Sequence, residues 1–217
     1  MEENNHIQPN TSSFEGLREY YQLSSAIVWN MHCEFEEHLE EKAQKVLEQY
    51  QDEKSITAEV AALELHYIQQ QLTTQARYAF LPRFLSLFEG VMKNVCMLAD
   101  EKKYTNVDQR NWFKTHQQFL ETQGVEFYTV DGDLQTIKHL IRIRDCIVHA
   151  DGNIQMCKKS VAVCQAIEAT EGFERFPIDD KVALTDQALP TASISISHVM
   201  QLLFRHFKCP LVPWRWH

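Results

Sequence analysis

The chain contains 217 residues, of which 44% are hydrophobic, and it has only six glycines and six prolines. That length can bury one large core, and the scarcity of turn-forming residues favours helices over a β-sandwich. The sequence contains no apolar run of about 18 residues, and residues 1–6 lack the basic and apolar regions of a signal peptide. We therefore predict a mostly α-helical, cytoplasmic protein that does not cross a membrane.

Negative charge is concentrated in the N-terminal part of the chain and accounts for the net charge of −9. The first 60 residues contain 13 acidic and four basic side chains, whereas the rest of the chain contains 17 of each. Within that neutral part, basic residues gather around Arg142 and Arg144 and predict a local positive surface. A solvated helix face would produce the same clustering, so both interpretations stand.

Apolar residues at steps of three, four or seven predict a long amphipathic helix from Phe14 to about Gln51. The opposite face is rich in glutamate and offers Glu41–Lys45 as a supporting pair at i, i+4 spacing. We interpret this face as solvated, with docking on a basic partner as the alternative. We predict that residues 1–54 form an acidic helical extension and residues 55–217 the main helical domain.

A cap at Ser55 predicts the start of a second helix that reaches about Lys103. Pro82 lies inside this segment, and we expect it to kink the helix or to restart it, because proline donates no backbone hydrogen bond. A third helix is predicted over residues 109–123, which carry three aromatic side chains before Gly124 ends the segment.

Residues 125–130 alternate between apolar and polar side chains and predict a short strand or an extended loop. The Asp131-Gly132-Asp133 segment then caps a fourth helix, which runs to about Ala150. Asp151 and Gly152 follow, and this pair predicts a helix end in the left-handed conformation.

The C-terminal third is predicted to differ in character from the rest. Residues 156–169 and 193–207 have helical periodicity, whereas residues 173–184 give two extended stretches around an Asp-Asp turn. We expect these stretches to form a small β-hairpin that rests on the helices. In the tail, Trp214 and Trp216 would stack on bases or, as we favour, dock into a protein groove.

The fourth predicted helix carries Arg144, Asp145 and His149 near its end. An arginine binds phosphate and a histidine transfers protons, so these side chains can act on a phosphodiester without a metal. Asp145 and His149 are spaced i, i+4 and share a helix face, so the carboxylate would orient the imidazole. Arg144 lies about 140° from His149 around an ideal helix. The two converge only at a distorted helix end or from two sides of a shared cleft.

The Arg-Asp-x-x-x-His spacing resembles the signature of the HEPN superfamily of prokaryotic helical domains, and the resemblance covers roughly residues 60–208. Members also carry a glutamate inside a long apolar helix, and Glu89 within residues 78–99 matches it. The resemblance implies a helical bundle that forms a homodimer, with both Arg/His pairs in one cleft. It further implies metal-independent RNA cleavage by a toxin or an antiviral-defence effector.

The resemblance also implies a role for each matched residue. His149 would be the general base for the ribose 2′-hydroxyl, and Arg144 would hold the scissile phosphate. Asp145 would orient His149, and Glu89 would hold the guanidinium of Arg144. No cofactor or metal is expected. The basic residues expected to bind RNA are Lys138, Arg142, Lys158 and Lys159.

Asp151 occupies the position at which members regulated by a nucleotidyltransferase antitoxin carry tyrosine. We therefore do not expect control by adenylylation at this position. A different antitoxin, or a partner from a defence system, is left open.

Two alternatives stand beside the ribonuclease interpretation. An Arg–Glu pair that links two helices, with His149 as a helix-terminal cation, would give a noncatalytic HEPN-like module for protein binding or dimerisation. The second alternative is a metal site formed by Cys146, His149, Cys157 and Cys164. The absence of a Cys-x2-Cys pair disfavours it.

Overall fold

The structure, a computed structural model, describes residues 11–53, 58–105, 111–176 and 179–211. Within these ranges it contains six α-helices, one turn of 3-10 helix and a two-stranded antiparallel sheet. The predicted mostly α-helical class is therefore confirmed. The described helices include none that is both long and apolar enough to cross a bilayer. The predicted cap at Ser55 and the tail residues Trp214 and Trp216 lie outside the described residues.

Nine elements follow one another along the described chain. In order they are α1 (Thr11–Glu53), α2 (Ala58–Tyr104), α3 (Trp112–Thr122), the 3-10 helix (Phe127–Val130), α4 (Asp131–Ala150), α5 (Ser160–Glu168), β1 (Phe173–Arg175), β2 (Val182–Leu184) and α6 (Ala188–His206). The predicted first and fourth helices are confirmed, and α4 has the predicted limits.

α2 continues through Pro82, and its one residue with a non-helical backbone is Asp100. The predicted restart of the helix at Pro82 is therefore wrong. Leu81 and Leu85 on either side are fully buried, and this packing maintains the helix where proline removes a hydrogen bond. At Asp100 the carboxylate accepts a hydrogen bond from the Lys103 amide at 3.1 Å. It thereby caps the final turn as an N-cap residue does.

Residues 125–130 end in a 3-10 turn, so the predicted strand or extended loop is wrong. Val125 and Phe127 are buried, whereas Glu126 and Tyr128 are exposed. The alternating pattern thus reflects a turn that directs two apolar side chains inward. The described part of the chain offers no strand with which this segment pairs, and a lone strand is not stable in water.

Two other helices begin at positions that differ from the prediction. α5 starts later than the predicted start at Met156, whose side chain is exposed and whose amide donates to the Asn153 side chain at 3.2 Å. α6 starts at Ala188 rather than Ser193 and includes Pro190 in its first turn. Proline is tolerated there because the first amides of a helix have no partner within it.

The predicted hairpin is confirmed. β1 and β2 pair antiparallel, with Phe173 opposite Leu184 and Arg175 opposite Val182. The turn between the strands includes Asp180, whose φ of 53° lies in the left-handed region that aspartate tolerates better than most residues. An ion pair between Arg175 and Asp180 joins β1 to this turn.

Contacts divide the chain into two compact units. The first comprises residues 1–25, 85–138 and 194–217, and the second residues 26–84 and 139–193. The predicted boundary at residue 54 stays a prediction. In the first unit, Phe14 stacks on Phe207 with ring centroids 4.4 Å apart, and Tyr21 packs against Phe204. In the second unit, buried aliphatic residues of α4, α5 and the hairpin form the core, among them Ile143, Ile167 and Leu184.

Candidate functional site

The candidate residues Arg144, Asp145 and His149 lie in the last two turns of α4. Ile143 and Ile147 on the same turns are buried and anchor this end of the helix in the second unit. Arg144 lies at the edge of the buried face, with 17% of its side chain exposed, whereas 52% of the Asp145 side chain is exposed. His149 is exposed.

Arg144 and Asp145 form an ion pair, with the Nε and Oδ1 atoms 2.9 Å apart. The carboxylate therefore contacts its neighbour in the sequence, and its predicted effect on the His149 imidazole stays a prediction. Within the described ranges, His149 makes no hydrogen bond or ion pair. Its imidazole thus lies in solvent at the C-terminal turn of α4, where a substrate can reach it.

The end of α4 has the predicted left-handed conformation, with φ of 49° at Asp151 and 73° at Gly152. The Gly152 amide donates to the Cys146 carbonyl at 3.2 Å and so satisfies one of the last carbonyl groups of the helix. The Gly152 carbonyl accepts a hydrogen bond from the Val182 amide at 3.0 Å. The first residue of β2 therefore holds the chain just beyond His149.

Two side chains that the sequence did not single out fix the same helix end. The Tyr78 hydroxyl on α2 donates to the Val182 carbonyl at 2.5 Å, and the Tyr78 ring packs against Gly152. Lys181 and Asp151 form an ion pair at 2.8 Å. These contacts join residues that are 104 and 30 positions apart in the chain. Neither periodicity nor a local motif indicates them.

The Tyr78 hydroxyl is a hydrogen-bond donor rather than a base. Burial raises the pKa of this hydroxyl well above its usual range, and the acidic groups of Cys146, Asp151 and Asp179 raise it further. The phenol therefore keeps its proton at any physiological pH and maintains its hydrogen bond to Val182.

The basic residues predicted to bind RNA lie mostly at the surface. Arg142, Lys158 and Lys159 are exposed, whereas Lys138 is half-buried. Lys138 belongs to the first unit and the other three to the second. Arg142 precedes His149 on α4, and the two lysines lie in the turn that leads to α5.

Glu89 lies on α2 in the first unit, whereas Arg144 belongs to the second unit. The Tyr104 hydroxyl has a pKa raised to about 12, mainly by burial, with smaller contributions from Cys96 and then from the Glu89 carboxylate. The Glu89 carboxylate thus acts electrostatically on a residue of its own unit. The predicted support of Arg144 by Glu89 stays a prediction.

An open groove of about 610 Å³ in the second unit was not predicted from the sequence. Its walls come from α1, α2 and the hairpin. Arg77 lines it and donates two hydrogen bonds to the Glu36 carboxylate, at 2.7 and 2.8 Å, and a third to the Leu184 carbonyl at 2.7 Å. Because three elements share this guanidinium, we interpret Arg77 as a structural link.

Two cysteines of the possible metal site, Cys146 and Cys157, lie against each other. Their sulfur atoms are 2.7 Å apart. Among the residues that the structure describes, no three His, Cys, Asp or Glu side chains are grouped as a metal site requires.

Comparison with protein-family models, with curated proteins and with solved structures gives no match to this chain. The end of α4 nevertheless combines an arginine held by a carboxylate with an exposed histidine, on a segment fixed by β2 and Tyr78. Because α4 is helical through Ala150, Arg144 and His149 lie on different sides of the helix within one chain. The first can bind a phosphate and the second can transfer a proton.

Proposed function

We propose that the protein is a metal-independent endoribonuclease of the HEPN type that cleaves cytoplasmic RNA as a homodimer, in the role of a toxin or an antiviral-defence effector. The observation that carries this proposal is the fixed end of α4, which presents an exposed His149 and an Arg144 held by Asp145. A proton-transfer group and a phosphate ligand on one rigid segment are the groups that cleavage through the 2′-hydroxyl requires.

The reaction begins when His149 removes the proton from a ribose 2′-hydroxyl. The 2′-oxygen attacks the neighbouring phosphorus, and the bond from phosphorus to the 5′-oxygen breaks. The leaving oxygen takes a proton from the second His149 of the dimer. The products are a 2′,3′-cyclic phosphate and a 5′-hydroxyl end, and neither water nor a metal ion takes part in this step.

The Arg144 guanidinium donates hydrogen bonds to the non-bridging oxygens of the phosphate, where negative charge grows during the attack. The ion pair with Asp145 orients the guanidinium before RNA binds, so less conformational freedom is lost on binding. Lys158 and Lys159, together with Arg142, contact the neighbouring phosphates. Binding through such contacts weakens as the salt concentration rises.

The test is cleavage of total RNA and of purified tRNA in EDTA by the wild-type, Arg144→Ala and His149→Ala proteins. The wild-type protein is expected to leave cyclic-phosphate ends, and each variant to lose about 100- to 10,000-fold in rate. Arg83→Ala and His38→Ala are matched controls, because both residues are exposed and lie on other helices. Thermal melts of all five proteins report whether each variant is folded.

The pattern of loss decides the outcome. Loss of cleavage in Arg144→Ala and His149→Ala alone supports the proposal. Equal cleavage by all five proteins would indicate a contaminating nuclease. Absence of cleavage by folded wild-type protein on both RNA pools would favour the second candidate function.

That second candidate is a noncatalytic HEPN-like module that dimerises or binds a protein partner such as an antitoxin. α1 favours it, because four of its large apolar side chains are at least half exposed, and exposed apolar side chains of this kind occur at protein contacts. They are Tyr20, Leu23, Ile27 and Met31. If this candidate holds, Ile27→Glu abolishes the complex measured by sedimentation, whereas His149→Ala leaves it intact.

A further inference from the structure

Cys146 and Cys157 place two thiols in contact at the end of α4. Cys146 is buried on α4, and Cys157 is half-buried in the turn that leads to α5. Their sulfur atoms are 2.7 Å apart. The amide of Cys157 donates to the Ile154 carbonyl at 3.1 Å, which fixes the turn in this position. The two sulfurs can therefore be joined with little movement of the backbone.

We propose that Cys146 and Cys157 form a reversible disulfide when the protein meets a peroxide or a small disulfide such as oxidised glutathione. The pair is then a modification site for an oxidant, and it does not depend on the proposed ribonuclease activity. In reducing compartments, disulfides of this kind are usually transient and redox-sensing. The bond closes a loop that contains His149 and the left-handed helix end at Gly152.

The oxidation by hydrogen peroxide proceeds in two balanced steps. The Cys157 sulfur, having lost its proton, attacks one peroxide oxygen, the O–O bond breaks, and a sulfenic acid and water form. The Cys146 sulfur then loses its proton and attacks the sulfenic sulfur, the S–O bond breaks, and a second water leaves. The two thiols lose two electrons and two protons, and the peroxide is reduced to two molecules of water. With oxidised glutathione, the deprotonated Cys157 sulfur attacks one sulfur of the small disulfide, whose S–S bond breaks and releases one glutathione thiol. The deprotonated Cys146 sulfur then attacks the Cys157 sulfur of the mixed disulfide and releases the second glutathione thiol.

The surroundings of the two thiols determine their order of reaction. Burial raises the pKa of the Cys146 thiol well above its usual range, and its neighbour Cys157 raises it further. Cys146 is therefore a poor first nucleophile, and an oxidant in solution reaches the half-buried Cys157 more readily. Cys146 is the resolving thiol, which attacks once the sulfenic acid lies beside it.

The experiment uses the full chain carrying Cys33→Ser, which removes the exposed thiol of α1 and with it the risk of cross-linking between molecules. The protein is treated with hydrogen peroxide or oxidised glutathione, alkylated with N-ethylmaleimide and digested with trypsin. Both cysteines fall in one tryptic peptide, Asp145–Lys158. Formation of the disulfide makes this peptide two hydrogens lighter and prevents alkylation of either cysteine. Cleavage before Asp151 then gives two fragments that separate only after reduction.

Two variants provide the matched comparison. Cys164→Ser, which removes another half-buried thiol of the same unit, is expected to keep the light peptide. Cys157→Ser, a conservative change at a half-buried position, is expected to lose it. Closing the loop raises Tm by roughly 5 °C in the chain-entropy account. That rise should appear on oxidation in the Cys33→Ser parent and in its Cys164→Ser derivative, and be absent from its Cys157→Ser derivative.

Two results would overturn the proposal. One is a peptide Asp145–Lys158 that carries two alkyl groups after oxidant has consumed other thiols of the same sample. The other is a cross-link from peptide Asp145–Lys158 to the tryptic peptide that carries Cys164, present in Cys157→Ser and lost in Cys164→Ser. Each result is read by mass and is independent of any RNA cleavage.

Discussion

Gly152 packs against the ring of Tyr78 so closely that a β-carbon on Gly152 would lie 2.7 Å from Cζ of Tyr78 and would overlap its hydroxyl oxygen. The Tyr78 hydroxyl donates to the Val182 carbonyl, and the Val182 amide donates to the Gly152 carbonyl. These three residues join α2, β2 and the end of α4 through contacts that depend on one another. Two of them, Tyr78 and Val182, are distant in the sequence from His149 and help to fix the helix end on which it lies.

Gly152→Ala is expected to destabilise the protein by about 3 kcal/mol or more, because it combines overlap with Tyr78 and a positive φ. Gly90→Ala is the control, since Gly90 lies inside α2 with nothing within 4 Å of a new β-carbon. That change should be neutral or should stabilise the protein by about 0.5–1 kcal/mol. Urea denaturation measures both. Equal stability of the two variants would contradict the packing of Gly152 on Tyr78.

Local signals made α4 and the hairpin predictable. Asp131 begins α4, and Asp151 with Gly152 ends it, so both limits of the helix are encoded by neighbouring residues. The turn at Asp179 and Asp180 likewise separates two short extended stretches, which pair as predicted. In each case the residues that determine the structure are within a few positions of the structure itself.

Contacts distant in sequence were not predictable in this way. Pro82 would interrupt an isolated helix, but the burial of its neighbours keeps α2 intact. Asp145 can reach either Arg144 or His149 from the same helix, and its side-chain conformation decides that the ion pair is with Arg144. The chemical types at the candidate site were thus evident from the sequence, whereas their contacts were not.

Removal of one partner from the part-buried ion pair between Arg77 and Glu36 is expected to destabilise the protein. The two side chains are only 12% and 24% exposed, so removal of one partner leaves a charge with little water around it. Arg77→Met should destabilise the protein by about 3 kcal/mol, because it leaves the Glu36 carboxylate without its partner. Arg77→Lys should cost about 1–2 kcal/mol, because lysine keeps the charge but cannot donate two parallel hydrogen bonds to the carboxylate.

A double-mutant cycle measures that contact. Urea denaturation of Arg77→Met, Glu36→Gln and the double variant should give a coupling free energy of about 1–2 kcal/mol. The exposed pair Lys45–Glu41, with side chains 66% and 64% exposed, is the control and should couple much more weakly, because water screens its charges. Similar coupling in the two pairs would show that burial does not strengthen the Arg77 contact.

The buried His116 predicts that acid destabilises the first unit. Burial, with a smaller effect of Lys93, lowers the pKa of His116 from 6.5 to about 4, and its Nε2 lies 2.5 Å from the Tyr104 hydroxyl. The unfolded chain therefore takes up a proton near pH 6.5, whereas the folded protein does so only near pH 4. The contribution of neutral His116 to the free energy of unfolding is fully present above pH 6.5 and is lost as the pH falls towards about 4.

The measurement is Tm as a function of pH for the wild-type and His116→Leu proteins. Between pH 7 and pH 4.5 the wild-type protein should lose roughly 5 °C more than His116→Leu, because only the former has this histidine to protonate. His38→Gln, at an exposed position of α1, should follow the wild-type curve. Parallel curves for wild type and His116→Leu would show that His116 is not held neutral in the folded state.

The composite cleft predicts that a dimer with a single His149 is nearly inactive. In the shared cleft one His149 is the base and the second is the acid, so a mixed dimer of one wild-type and one His149→Ala chain lacks one of these two groups. It should be about 100- to 10,000-fold slower than wild type, whereas two independent sites would leave it about half as active as wild type. Two affinity tags and tandem purification isolate the mixed dimer, and a mixed dimer of wild-type and Arg83→Ala chains is the reference. A mixed dimer with about half the wild-type rate would exclude the shared cleft while leaving the individual roles of Arg144 and His149 intact.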